Sequence, residues 1–142
     1  DGTSYLDLAE YIRAYGAEPK KDLTELWKRI VFNMAVSNTD DHLRNHGFIL
    51  TTTGWRLSPL FDVNPVPSGD RLSLNVSEAD NSIDLSLAVE VSEYFGLTKK
   101  EADAVSAELC ETVKMNWAKI AENYGLSRGA IEYMRPAFSL QP

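Results

Sequence analysis

Apolar positions fall at helical spacing over most of the chain and lose it only in the middle. From Ser4 to Tyr15, the residues Leu8, Ile12 and Tyr15 recur at intervals of four and three, with Ala9 beside them and Gly16 following. This predicts one amphipathic helix with a glycine stop. Pro19 separates it from a second helix, where Asp22 is the expected N-cap and Glu25, three residues on, makes an acidic variant of the capping box. Leu23, Leu26, Trp27, Ile30, Val31, Met34 and Ala35 then trace a broad apolar stripe, as expected of a helix buried at the centre of the domain.

After Ser37 the periodicity collapses into Asn38-Thr39-Asp40-Asp41-His42-Leu43-Arg44-Asn45-His46. Phe48-Ile49-Leu50-Thr51, a Thr53-Gly54 turn and the alternating Trp55-Arg56-Leu57 predict a short hairpin. Residues 58–81 carry Pro59, Pro65, Pro67 and Gly69 and read as mostly loop. Helical spacing returns with Leu85, Val89 and Tyr94-Phe95, ended by Gly96. Thr98 and Glu101 have capping-box spacing and open a long helix through Ala102, Val105, Leu109, Val113 and Trp117, closed by Gly125. Ser127 caps a last short helix that must stop before Pro136. The expected class is mainly α with a small β-hairpin, one domain over residues 1–142.

Composition narrows the function classes. With 44% hydrophobic residues in 142, the chain can bury a core without disulfides or metal. No apolar run approaches the roughly 20 residues a membrane span needs, and no signal-peptide pattern is visible. The single cysteine, Cys110, excludes an internal disulfide, reads as a small core residue, and fits a reducing, cytoplasmic setting. A net charge of −7 argues against sequence-blind binding to nucleic acid. The chain opens on Asp1-Gly2 rather than methionine, which suggests a piece of something longer.

Nearly all reactive residue types crowd into 38–46, including both histidines, His42 and His46. The loop lies between the most apolar helix and an apolar strand, where core meets cleft, and loops on rigid flanks commonly carry function. A solvated polar loop is the plain alternative. A zinc centre from His42, His46 and Asp40 or Asp41 would need a helix to bring both rings to one face, and no HExxH glutamate is present. Phosphoryl transfer fits better. Kinase catalytic loops place a proton-accepting Asp five residues before a Mg²⁺-binding Asn, as Asp40 and Asn45 are placed, with a second metal-binding Asp after a hairpin, as Asp62 is. Mg²⁺ takes oxygen ligands, and one amide plus one carboxylate at opposite ends of a hairpin would supply them sparingly.

Phe32-Asn33, Asn38 through Asn45, and Leu57-Ser58-Pro59-Leu60-Phe61-Asp62-Val63-Asn64-Pro65 together resemble the C-terminal domain of HipA-like serine/threonine kinases, the toxin halves of bacterial toxin–antitoxin pairs. Ser4-Tyr5-Leu6-Asp7-Leu8 and Glu93-Tyr94-Phe95-Gly96-Leu97 extend the resemblance over most of the chain. It implies a helical C-lobe of a kinase-like fold that works with ATP and Mg²⁺. Asp40 would be the catalytic base, and Asn45 and Asp62 the Mg²⁺ ligands. His42 stands where many kinases carry a phosphate-facing lysine; it faces phosphate or braces the loop. Arg44 faces phosphate or forms a surface ion pair with Asp41, which is expected to face solvent. The implied partners are a kinase N-lobe, a protein substrate and an antitoxin-type DNA-binding protein. The glycines stand at 2, 16, 47, 54, 69, 96, 125 and 129 and form no Gly-rich phosphate loop. A C-lobe alone, inactive without its N-lobe, is therefore expected. A non-catalytic helical module docking an antitoxin-type partner is the alternative.

Overall fold

A computed structural model of the protein describes residues 2–140. It is mainly helical, with helices α1 (Tyr5–Tyr15), α2 (Pro19–Ala35), α3 (Leu85–Glu90), α4 (Lys99–Asn123) and α5 (Arg128–Met134). Strands β1 (Phe48–Thr51) and β2 (Gly54–Leu57) pair antiparallel, with Phe48 opposite Leu57 and Thr51 opposite Gly54. Short 3₁₀ turns at Leu43–Asn45, Ser92–Phe95 and Arg135–Phe138 complete the order. Among the described residues, no helix is long and apolar enough to cross a membrane.

Side-chain caps set most helix starts. The Ser4 hydroxyl accepts from the α1 backbone while Asp7 accepts from the Ser4 amide, and Thr98 and Glu101 make the same reciprocal pair at α4. Ser127 caps α5 through the Ala130 amide. Gly16 caps the end of α1 as expected, and Gly96, at φ 86°, takes the left-handed turn that separates the 3₁₀ turn from α4.

The stripe on α2 is the centre of the domain. Leu26, Trp27, Ile30, Val31 and Met34 are fully enclosed, and α1, α3, α4 and the 92–95 turn pack around them. The Trp27 indole N–H donates to the Ala88 carbonyl at 2.8 Å, so the ring is buried without losing a hydrogen bond.

Two expectations change at this level, and a third, the loop over 58–81, holds but contributes to the core. The start of α2 falls at Pro19, and Glu18 in the cap position makes no side-chain cap; Asp22 sits inside the first turn. The Asp22 carboxylate instead accepts from Arg56 Nε and Nη2 at 3.0 and 3.1 Å and from the Leu57 amide at 2.9 Å, which bolts β2 onto α2. A tertiary partner has displaced the local cap. Tyr15, expected on the apolar face of α1, is exposed, with its ring against Tyr11. Residues 58–81 contain no strand or helix, yet Leu72, Leu74 and Val76 are core residues. Their alternation is that of a strand, and Asn75 exchanges backbone hydrogen bonds with Thr3 and Tyr5.

Replacing Trp27 by Ala removes the largest core side chain and orphans the Ala88 carbonyl. The expected cost is about 3–5 kcal/mol, read as a lower urea midpoint at unchanged slope.

Candidate functional site

The hairpin delivers two loops to one place. It leaves the 38–46 loop at Phe48 and re-enters the body at Leu57, where the Ser58 amide donates to the Gly47 carbonyl at 2.8 Å. Arg29, buried on α2, donates to the Ser58 carbonyl and fixes the start of the segment leading to Asp62.

The chain brings Asn45 and Asp62 into direct contact. Asn45 Nδ2 donates to Asp62 Oδ2 at 2.5 Å, and Asn64 Nδ2 donates to Asp62 Oδ1 at 2.9 Å. Asn45 Oδ1 accepts from the His42 amide at 2.9 Å, the cap of the 3₁₀ turn. His42 Nε2 in turn lies 3.1 Å from Asp40 Oδ1. Asp40 is thus linked to Asn45 and Asp62 through His42, and its side chain is 61% exposed. Arg44 is exposed and makes no polar contact among the described residues.

Beneath this surface lies a buried polar knot built on Asp41. Its Oδ2 accepts from the Tyr5 hydroxyl at 2.6 Å, from Asn33 Nδ2 at 2.9 Å and from His46 Nε2 at 2.7 Å. Asn33 Oδ1 accepts from Asn38 Nδ2 at 3.0 Å, and Asn38 Oδ1 accepts from the Asn64 amide at 3.3 Å. The network therefore runs from the core to the residue beside Asp62. Burial, and after it the Asp41 charge, hold the Tyr5 phenol well above its ordinary range.

These contacts overturn the solvent-facing reading of Asp41, which is 1% exposed and paired inward. An Arg44–Asp41 surface ion pair does not form. The two histidines turn to different carboxylates, His42 to Asp40 at the surface and His46 to Asp41 in the core. No group of three or more His, Cys, Asp or Glu among the described residues could hold a metal ion, so the His42–His46 zinc alternative is not built.

Two backbone positions near the site are left-handed without being glycine: Ser37 at φ 52° and Asp62 at φ 57°. Such a conformation costs on the order of 1 kcal/mol and persists where surroundings enforce it. At Ser37 the side chain donates to the Ala137 carbonyl and the carbonyl accepts from the Val66 amide. The first fixes the exit of α2 to the C-terminal 3₁₀ turn. Gly69 lies so close to Thr39 that an added Cβ would stand 2.4 Å from its methyl group.

Sequence reasoning gave no role to Tyr5, Asn33, Asn38 and Asn64, and placed Asp41 in solvent and His46 in a zinc alternative rather than in this buried network. A signal was present for Asn33: it follows Leu26 and Ile30 at spacings of seven and three, a polar residue on the apolar face of α2. Polar groups in such positions are satisfied by partners when buried.

A helical lobe whose hairpin presents Asp40, Asn45 and Asp62 over a buried carboxylate is the class of structure described. The family model of the HipA-like C-terminal domain matches residues 1–117, and the chain belongs to that family. It is similar to the protein named "Putative kinase Y4mE" of Sinorhizobium fredii (strain NBRC 101917 / NGR234), at 31% identity over 62 residues. That match covers 44% of this chain and 15% of the relative's length.

Removing the Asp41 carboxylate leaves three buried donors without their acceptor. Asp41→Ala is expected to cost about 3–5 kcal/mol, and Tyr5→Phe about 1.5–3 kcal/mol, in chemical denaturation. Because the folded phenol holds its proton above the unfolded value near 10, the unfolded chain loses that proton first as pH rises. Stability from this group is whole below about pH 10 and falls above it. Tyr5→Phe should therefore flatten the alkaline decline in melting temperature.

Proposed function

We propose that this chain is the catalytic C-lobe of an ATP-dependent serine/threonine kinase, with Asp40 as base and Asn45 and Asp62 as Mg²⁺ ligands. The observation that carries the reading is the direct meeting of Asn45 and Asp62 across the hairpin, with the exposed Asp40 linked to them through His42. The donor set suits a hard cation. Asp62 brings carboxylate oxygens, and Asn45 Oδ1 keeps a second lone pair beyond the one that accepts from the His42 amide. When bound, Mg²⁺ neutralises charge on the ATP phosphates and aligns the transferred group.

The chain's own residues do the rest. Asp40, solvent-facing, accepts the proton of a substrate serine or threonine hydroxyl as that hydroxyl oxygen bonds to the γ-phosphorus, and the bond from the γ-phosphorus to the β,γ-bridging oxygen breaks to release ADP. His42, against Asp40 Oδ1, orients that carboxylate. Arg44, charged and unpaired, is available to phosphate. Nucleotide cradling by backbone amides falls to an N-lobe, because this chain carries no Gly-rich loop. An antitoxin-type protein and a protein substrate are the proposed further partners, and a cytoplasmic setting the proposed location.

Two expectations test the reading. In the kinase that joins this lobe to its N-lobe, Asp40→Ala should abolish phosphate incorporation from labelled ATP, a loss of at least about 10²-fold. Its melting temperature should be nearly unchanged, since the side chain is exposed. Substantial residual turnover would remove Asp40 from the role. The 142-residue chain alone should fold, yet show neither tight Mg²⁺–ATP binding in calorimetry nor phosphoryl transfer, because transfer is mostly positioning and half of the clamp is elsewhere. Turnover by the isolated chain, sensitive to Asp40→Ala, would show that the lobe suffices.

A further inference from the structure

The outer pair Asp40 and Asn45 is shadowed one residue on by an inner pair with the same spacing, Asp41 and His46. The outer side chains meet solvent and Asp62, while the inner ones are buried and joined to each other at 2.7 Å. Each inner residue is covalently adjacent to one outer residue. Fixing the distance between the inner pair therefore limits how far the outer pair can move apart or turn.

We propose that the buried Asp41–His46 bond is the clamp that sets the geometry of Asp40 and Asn45, which makes His46 a positioning residue for phosphoryl transfer. The inference rests on the kinase reading above for its catalytic consequence, but not for the clamp itself. Three observations support it. Asp41 is tied to the two flanking helices by Tyr5 and Asn33, so the clamp is held from the core rather than from the loop. Between the clamped residues, the loop makes only a single 3₁₀ turn, Leu43–Asn45, too short to be rigid alone. The His46 ring has no exposed side-chain surface and packs edge-on against Tyr5 at 6.0 Å, while Nδ1 has no partner among the described residues. One nitrogen thus carries its polar role, and that role is the tether.

The chemistry of the tether suggests a pair of variants. His46→Phe keeps a ring against Tyr5 and removes the donor; His46→Gln keeps a donor of similar reach. Asp41 retains Tyr5 and Asn33 in both. The first readout uses the 142-residue chain without nucleotide: hydrogen exchange and chemical shift of the Asn45 side-chain amide, assigned with Asn45→Asp. His46→Phe should move that signal toward the solvent-exposed position and speed its exchange by at least about tenfold, with His46→Gln close to the parent chain. The second uses the complete kinase, where His46→Phe should lower kcat by about 10- to 100-fold with the KM for ATP little changed, and His46→Gln should restore most of it. An unaltered Asn45 amide together with an unaltered kcat in folded His46→Phe would overturn the proposal. If His46→Phe does not fold, His46→Leu, which keeps apolar volume in the buried site and removes the donor, gives the same two readouts. Loosening of Asn45 in a kinase that still works after Asp40→Ala would remove Asp40 from the role of base and leave the clamp standing.

Discussion

One buried carboxylate oxygen, Asp41 Oδ2, accepts hydrogen bonds from three directions, and the site hangs from it. Tyr5 reaches it from α1, Asn33 from α2, and His46 from the far end of the same loop. Taking a carboxylate out of water is costly unless its lone pairs are filled, so the arrangement works only when both helices and the loop are in place together. The polar knot therefore does two things at once. It fastens a segment with almost no secondary structure of its own, and it makes the conformation of that segment part of the folding of the core.

The same economy governs the hairpin. Asp22 gives up the helix cap its position suggests and binds Arg56 and the Leu57 amide, while Arg29 holds the Ser58 carbonyl. Together these fix where the chain leaves β2, and hence where Asp62 arrives. The left-handed backbone at Ser37 and Asp62 lies at the exit of α2 and at the carboxylate that meets Asn45, where surrounding contacts enforce it. Rigid attachments on one side and exposed Asp40 on the other are what positioning chemistry requires.

Much of the helical frame could be read from spacing. The α2 stripe and the Thr98–Glu101 capping box are local signals that the structure carries where the pattern indicates, while the hairpin turn falls one residue earlier than read, at Thr52-Thr53, with Gly54 already the first residue of β2. What could not be read locally depends on partners distant in sequence. Asp22 caps or clamps according to whether Arg56 comes near; Asp41 faces water or core according to whether Tyr5 and Asn33 await it. Leu72, Leu74 and Val76 lie in a segment that is loop, as read, and what the prolines around them hid is that their alternation buries them in the core. In the candidate site, motif spacing pointed to the contact between Asn45 and Asp62. It said nothing of the knot beneath, because a buried Asp and an exposed one look alike in a sequence.

The proposed reading makes Asn45 Oδ1 and the Asp62 carboxylate ligands of one divalent cation, which would replace the hydrogen bond that Asn45 Nδ2 donates to Asp62. Paramagnetic broadening by dilute Mn²⁺, followed residue by residue in the nuclear magnetic resonance spectrum of this chain, tests it without any turnover. Broadening should centre on Asn45 and on residues 62–64, compete away with excess Mg²⁺, and vanish in Asp62→Asn. Broadening centred elsewhere, for instance on the acidic 78–84 segment, or unchanged by Asp62→Asn, would contradict the account.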